Sequence, residues 1–201
     1  MQAMMQHVTG QLAHGARIPV IKSEQAQVLT ARAYTAPQVA LIAAAQTPRH
    51  GLATELAYAA GLRAHELLTL RRGEERAADP RPALASKWQG RDGVMYTVHG
   101  KGGLVREVLL PHALAERLEA VRLAAPLAIT DRGIHYQSHY DIGGGQRWSN
   151  SVSAASERAL GWSTGAHGLR HSYAQERMAE LQASLSRDAA LTTVSQEMGH
   201  F

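Results

Sequence analysis

Cysteine is absent from the 201 residues. That excludes a disulfide framework and a thiolate zinc site, and it fits a reducing cytoplasm. Lysine is nearly absent too. Lys22, Lys87 and Lys101 are the only lysines among 21 basic residues, and the rest are arginine. Aspartate is scarce, and no two aspartates lie close together, so a two-metal nuclease would lack the carboxylates to hold its ions. No run approaches the ~18 apolar residues of a membrane span. The N-terminal "MQAMMQHVTGQLAHGARIPV" lacks the basic-then-apolar order of a signal peptide.

What is present is a chain of one-domain size, 45% hydrophobic, with net charge +4 and a pI near 9.7. The mild positive excess suits a polyanionic partner. Arginine carries most of it, and a guanidinium offers a planar fork that matches phosphate oxygens.

Residues 1–30 have weak periodicity and read as a linker or the remnant of a preceding domain. Order firms up at "YTAPQVALIAAAQ", where Thr35 and Gln38 have capping-box spacing ahead of a helix reaching about Gln46. "GLATELAYAAGLRAHELLTLRR" reads as two helices meeting at Gly61. "GVMYTVHG" and "LVREVLLP" read as a β-hairpin with Lys101 at its tip, and "PHALAERLEAVRLAA" as a helix after Pro111. Residues 130–150 read as loop. Three closing helices are expected at "SNSVSAASERALGW", "HGLRHSYAQERMAELQ" and "LTTVSQEMGH". The expected class is α+β, mainly α, with one small antiparallel sheet.

The chemistry-bearing residues are arginine, histidine and lysine. His167 and His171 have i, i+4 spacing, but "HGLRH" lacks the glutamate of a zinc helix. "GKGG" and "GGGQRW" match neither the P-loop nor the dinucleotide fingerprint, and both read as turns. A phosphodiester under attack gathers charge on its non-bridging oxygens. Two arginines can clamp those oxygens, and histidine and lysine can manage the protons. Simpler readings stand beside this one. Arg63 could be a surface partner of Glu66, Lys101 a solvated turn residue, and His171 a structural hydrogen-bonding residue.

Four motifs taken in order resemble the tyrosine recombinase, or phage integrase, family. "AGLRAHELLTLR" is similar to its first arginine motif, "GKGGLVREVLLP" to its lysine hairpin, "HGLRH" to its H-x-L-R-H box, and "SQEMGH" to its last histidine box. The resemblance covers about 35–201 and implies an integrase-type catalytic domain over 31–201, with the fold of that family. It implies catalytic roles for Arg63, Lys101, His167, Arg170 and His200, with Glu66 and His171 as supporting residues. Arg63 and Arg170 would hold the scissile phosphate, Lys101 would protonate the leaving oxygen, His167 would assist proton transfer and His200 would hydrogen-bond a non-bridging oxygen.

The implied function is site-specific DNA recombination for a mobile genetic element, through a 3′-phosphotyrosine intermediate. No metal or nucleotide cofactor is implied. The implied partner is double-stranded DNA, bound by a tetramer of the full-length protein in the bacterial cytoplasm, with no membrane. In the family the nucleophilic tyrosine follows the last histidine box, whereas this sequence ends at Phe201. The expectation is therefore a domain incomplete at its C-terminus and inactive for cleavage by itself, with His200 falling short of the arginines. The alternatives are a non-catalytic DNA-binding regulator or decoy derived from an integrase, and a metal-free hydrolase of small phosphoesters.

Overall fold

The computed structural model describes Ala13 and residues 32–200. The reading of 1–30 as a linker or remnant therefore lies outside the described residues. Among the described residues the chain is mixed α and β and mainly helical, with small antiparallel sheets. No described helix is long and apolar enough to cross a membrane.

Helix α1 (Ala36–Ala44) starts where the capping spacing places it, with the Thr35 amide donating to Gln38 Oε1 at 2.9 Å. Pro48 opens α2 (Pro48–Ala60), its fixed φ suiting a first turn whose amides are unpaired in any case. Gly61 ends α2 in the left-handed conformation, φ 58°. The expected second helix beyond it is only a 3-10 turn, Glu66–Thr69, before strand β1 (Arg71–Arg72). Leu62, Leu67, Leu68 and Leu70 are all buried, which is too dense an apolar run for a helix with a solvent face.

Strands β2 (Val94–His99) and β3 (Val105–Leu110) form the expected hairpin, and β1 adds to β2. Tyr96 and Val98 face inward opposite Val108 and Arg106. Helix α3 (His112–Glu119) buries Ala115 and Leu118 and then stops, well short of the expected helix over 111–125. The chain turns into β4 (Arg122–Asp131), which pairs with β5 (Ile134–Tyr140). Residues 130–150 are thus not loop. Tyr136, Ser138 and Tyr140 alternate toward the core, and α4 (Gly145–Leu160) begins earlier than expected. Helices α5 (His167–Gln182) and α6 (Arg187–Glu197) follow, α6 being capped by Ser186 Oγ, which accepts from the Ala189 amide at 3.3 Å.

Trp148 of α4, Leu56 of α2, Ile42 of α1 and Leu110 of β3 meet in one core. The glycines read as a turn, 143–145, pack this core against the loop carrying Arg63. A Cβ on Gly144 would lie 2.4 Å from Leu68 Cδ2, and the Gly145 amide donates to the Ala64 carbonyl at 2.7 Å. Helix α4 therefore fixes the backbone one residue from Arg63.

Candidate active site

Arg63 lies between the end of α2 and the 3-10 turn. Glu66, the first residue of that turn, is fully buried. Its Oε2 accepts the Arg63 backbone amide at 2.7 Å, and its Oε1 accepts Arg63 Nη1 at 2.9 Å. One carboxylate thus fixes both the backbone and the side chain of Arg63. The same carboxylate receives Arg106 Nη2 at 2.7 Å and Arg106 Nε at 3.2 Å. Burial alone would raise the Glu66 carboxyl. The charge and hydrogen bonds of Arg106, the Arg63 amide and the charge of Arg170 outweigh it and hold the group down at about 2.

Arg106 is absent from the sequence-predicted set, yet it joins three parts of the site. From β3, behind the Lys101 turn, it reaches Glu66 and also donates Nη1 to the Glu197 carbonyl at 2.8 Å. The signal was present in the strand pattern. Arg106 shares the inward phase of Val108 and Leu110, and a charge on a buried strand face needs a buried partner.

Arg170 comes from the first turn of α5 and is buried. Gly168 lets that turn approach closely, since a Cβ there would lie 2.5 Å from Tyr34 Cε2. Arg170 Nη1 donates to the Gly61 carbonyl and Nη2 to the Met198 carbonyl at 2.6 Å. Both acceptors stand at helix C-termini, where carbonyls lack intrahelical partners and the helix dipole favours a cation. Arg170 therefore ties the end of α2 to the end of α6. Burial first, then the charges of Arg106 and Arg63, pull its guanidinium down to about 9.

The end of α6 returns His200 to this cluster, contrary to the expectation that it would fall short. Gly199 takes φ 77°, and its amide and that of His200 close onto Gln196 and Ser195 carbonyls. A side chain at Gly199 is also blocked by Arg106, whose Cδ would lie 2.5 Å from an added Cβ. His200 Nε2 ends 3.1 Å from Arg63 Nη2 and 3.5 Å from Arg170 Nη2. A guanidinium can only donate, so these contacts require Nε2 to be the unprotonated nitrogen. Burial and the charges of Arg170, Arg63 and Arg106 lower the His200 pKa accordingly.

Neither the family models nor the curated proteins with which the chain was compared match it.

The other expected residues fall in two places. His167 feels the charges of Arg170 and Arg63, but its ring packs edge-on against His171, 4.9 Å between centroids. Burial and that neighbouring ring lower its pKa. His171 was expected to make a structural hydrogen bond. Instead its Nε2 is shut from solvent with no partner among the described residues. Lys101 stands exposed in a 3-10 turn, Lys101–Gly103, and no hydrogen bond or ion pair holds it among the described residues. Tyr173, the tyrosine nearest Arg170 in sequence, is buried and donates to Glu197 Oε2 at 2.8 Å.

Of the three guanidiniums around His200, Arg63 and Arg106 share the carboxylate of Glu66 and Arg170 holds carbonyls in place of a carboxylate, while the Glu197 carboxylate is engaged by Arg177 and Tyr173. The cluster holds more positive charge than its own anions balance. Among the described residues no acceptor takes the Arg63 Nε proton or one proton on each Nη, and the side chain is 22% exposed. An oxyanion arriving here meets a guanidinium that Glu66 already holds in orientation.

Proposed function

We propose that this chain carries the phosphate-activating centre of an integrase-type DNA strand-transfer enzyme, with duplex DNA as substrate. The observation that carries the reading is the convergence of Arg63 and Arg170 on one ring nitrogen of His200. More than a hundred residues separate the two arginines in sequence, and both belong to motifs that resemble the integrase boxes. The resemblance supplies the reaction class and the recombinase fold; the geometry supplies the grip.

In this reading a backbone phosphate takes the place His200 now holds against Arg63. The Arg63 guanidinium donates to one non-bridging oxygen, and the remaining protons of Arg170 face the same phosphate. As the phosphorus becomes five-coordinate, its oxygens gain charge and these bonds strengthen, which is catalysis by preferential binding of the transition state. His200, released from the arginines, carries its proton on Nε2 and donates it in a hydrogen bond to a second oxygen. Lys101 reaches the departing 5′ oxygen from its turn and supplies its proton. The attacking group is a tyrosine hydroxyl, which gives its proton to the neutral ring of His167 and forms the 3′-phosphotyrosine link as the bond to the 5′ oxygen breaks. Tyr173 does not serve, because its phenol is engaged by Glu197 and pushed up by burial and that carboxylate.

The test supplies a nucleophile, so that the phosphate site is examined whichever group normally attacks. The protein is incubated with supercoiled plasmid and hydrogen peroxide, with a chelator to suppress iron-driven scission. Nicks bearing a 5′-hydroxyl are expected, and Arg63→Ala should slow their formation sharply while leaving a measurable residue. Absence of DNA binding, or nicking equal in wild type and variant, would reject the reading.

A further inference from the structure

A second group of cations lies on the face of the three-stranded sheet, beyond the 3-10 turn that follows Arg63. In the β1–β2 pair, Arg71 stands directly opposite Thr97. Directly opposed residues in an antiparallel pair share a face, and so do residues two apart on a strand. Arg71, Thr97 and His99 are therefore on one face. Arg76 joins them there: its Nε donates to Thr97 Oγ1 at 2.9 Å, and its Nη2 to the Thr69 and Thr97 carbonyls at 2.6 and 2.7 Å. Arg76 Nη1 makes no hydrogen bond among the described residues, and Arg71 makes no side-chain hydrogen bond or ion pair there at all.

The nearby carboxylates are already engaged. Glu107, on the same face opposite Thr97, pairs with Lys87 at 2.7 Å. Asp79 Oδ2 accepts the Val105 amide at 2.9 Å. Glu74 pairs with Arg72, and Glu75 with Arg122. Arg76 thus sits half-buried, fixed by neutral acceptors and facing the charge of Arg71, and burial followed by that charge draws its guanidinium down to about 10. His99 is lowered by burial and by the charges of Arg76 and Arg71, which outweigh the opposing charge of Asp79. His139 on β5 feels Arg71 as well, and its Nε2 is shut from solvent with no partner among the described residues. Two guanidiniums that face each other with no carboxylate between them among the described residues are costly unless an anion joins them.

We propose that Arg71, Arg76 and His99 form a second phosphate site, which grips a nucleic-acid backbone phosphate other than the one held by Arg63 and Arg170. The ligand class rests on the DNA reading above; the cation pair does not. Arg76 is the fixed half, its orientation set by Thr69 and Thr97. Arg71 is the adjustable half. The Thr69 hydroxyl links the two sites, since it accepts the His99 amide at 3.0 Å and donates to the Glu66 carbonyl at 2.9 Å.

The experiment has two arms, both on the full chain. In the first, duplex DNA binding is followed by fluorescence anisotropy over a range of salt for wild type, Arg71→Ala, Arg71→Lys and Arg63→Ala. Each phosphate contact contributes about 0.9 to the log–log salt slope. Arg71→Ala should lower the slope by about one contact and Arg71→Lys should restore it, while Arg63→Ala should lower it independently. In the second arm, arginine Nε–H signals of the wild type are titrated with inorganic phosphate, and those of Arg71 and Arg76 should shift. If Arg71→Ala leaves the slope unchanged, the second site is overturned and the first stands. If the wild type binds no DNA, the DNA reading fails, and still signals from Arg71 and Arg76 in the phosphate titration overturn the second site as well.

Discussion

Glu66 is the residue on which the candidate site turns. It is fully buried, and two arginines from separate elements share its oxygens. Removing one partner of a buried ion pair leaves an uncompensated charge and costs about 3–5 kcal/mol. Glu66→Gln should therefore destabilise the fold by about that much in a denaturant titration. A loss under about 1 kcal/mol would mean that Arg63 and Arg106 find other partners. The pH dependence follows in sign. The folded Glu66 carboxyl lies at about 2, below its ordinary 4.5, so its stabilisation is intact above pH 4.5 and fades as pH falls through about 2. His200 works at higher pH. Its folded pKa lies below 6.5, so the unfolded chain takes up the proton first and this contribution weakens stability as pH drops below 6.5. An NMR titration of the His200 ring should give a midpoint under 6.5, rising when Arg63 is replaced by alanine. A midpoint at or above 6.5 would place Nε2 away from the guanidiniums.

At the scale of elements, the site depends on how helices end. Helix α2 stops at Gly61 and α6 at Met198, and Arg170 holds the last carbonyl of each. Gly199→Ala meets both a positive φ and the Arg106 side chain. It should cost about 1–3 kcal/mol and weaken DNA binding as His200 shifts. A thermal melt and an anisotropy titration check the two effects. The hairpin turn is the opposite case. The Lys101 side chain has no partner among the described residues and the turn is rich in glycine, so hydrogen exchange should be fast at Lys101 and Gly102 and slow when DNA binds. Protection there in the free protein would mean a rigid turn and a structural lysine.

These ends explain what the sequence revealed. Period and punctuation disclosed α1, α2, α5 and the β2–β3 hairpin, because each has a buried stripe and a glycine or proline boundary. The β4–β5 ribbon was missed because β4 is mostly exposed, so it has no apolar alternation to read. Arg106 was missed because its inward phase shows only that a partner is needed, and the partners, forty residues earlier and ninety later, are not legible in the sequence.

At the scale of the molecule, positive charge gathers where the anions of the described residues do not balance it, first around His200 and again around Arg71. Duplex binding should therefore weaken steeply with salt, since every phosphate contact releases condensed counterions. The central claim is narrower: Arg63 and Arg170 act on the same phosphate. A double-mutant cycle on peroxide-supported plasmid nicking measures that directly, using Arg63→Ala, Arg170→Lys and the double variant, each confirmed folded by circular dichroism. Residues that share one ligand show coupling of about 0.5–3 kcal/mol. The account predicts that the second substitution costs little once the first is made. Losses that simply add would place the two arginines on separate phosphates and contradict it.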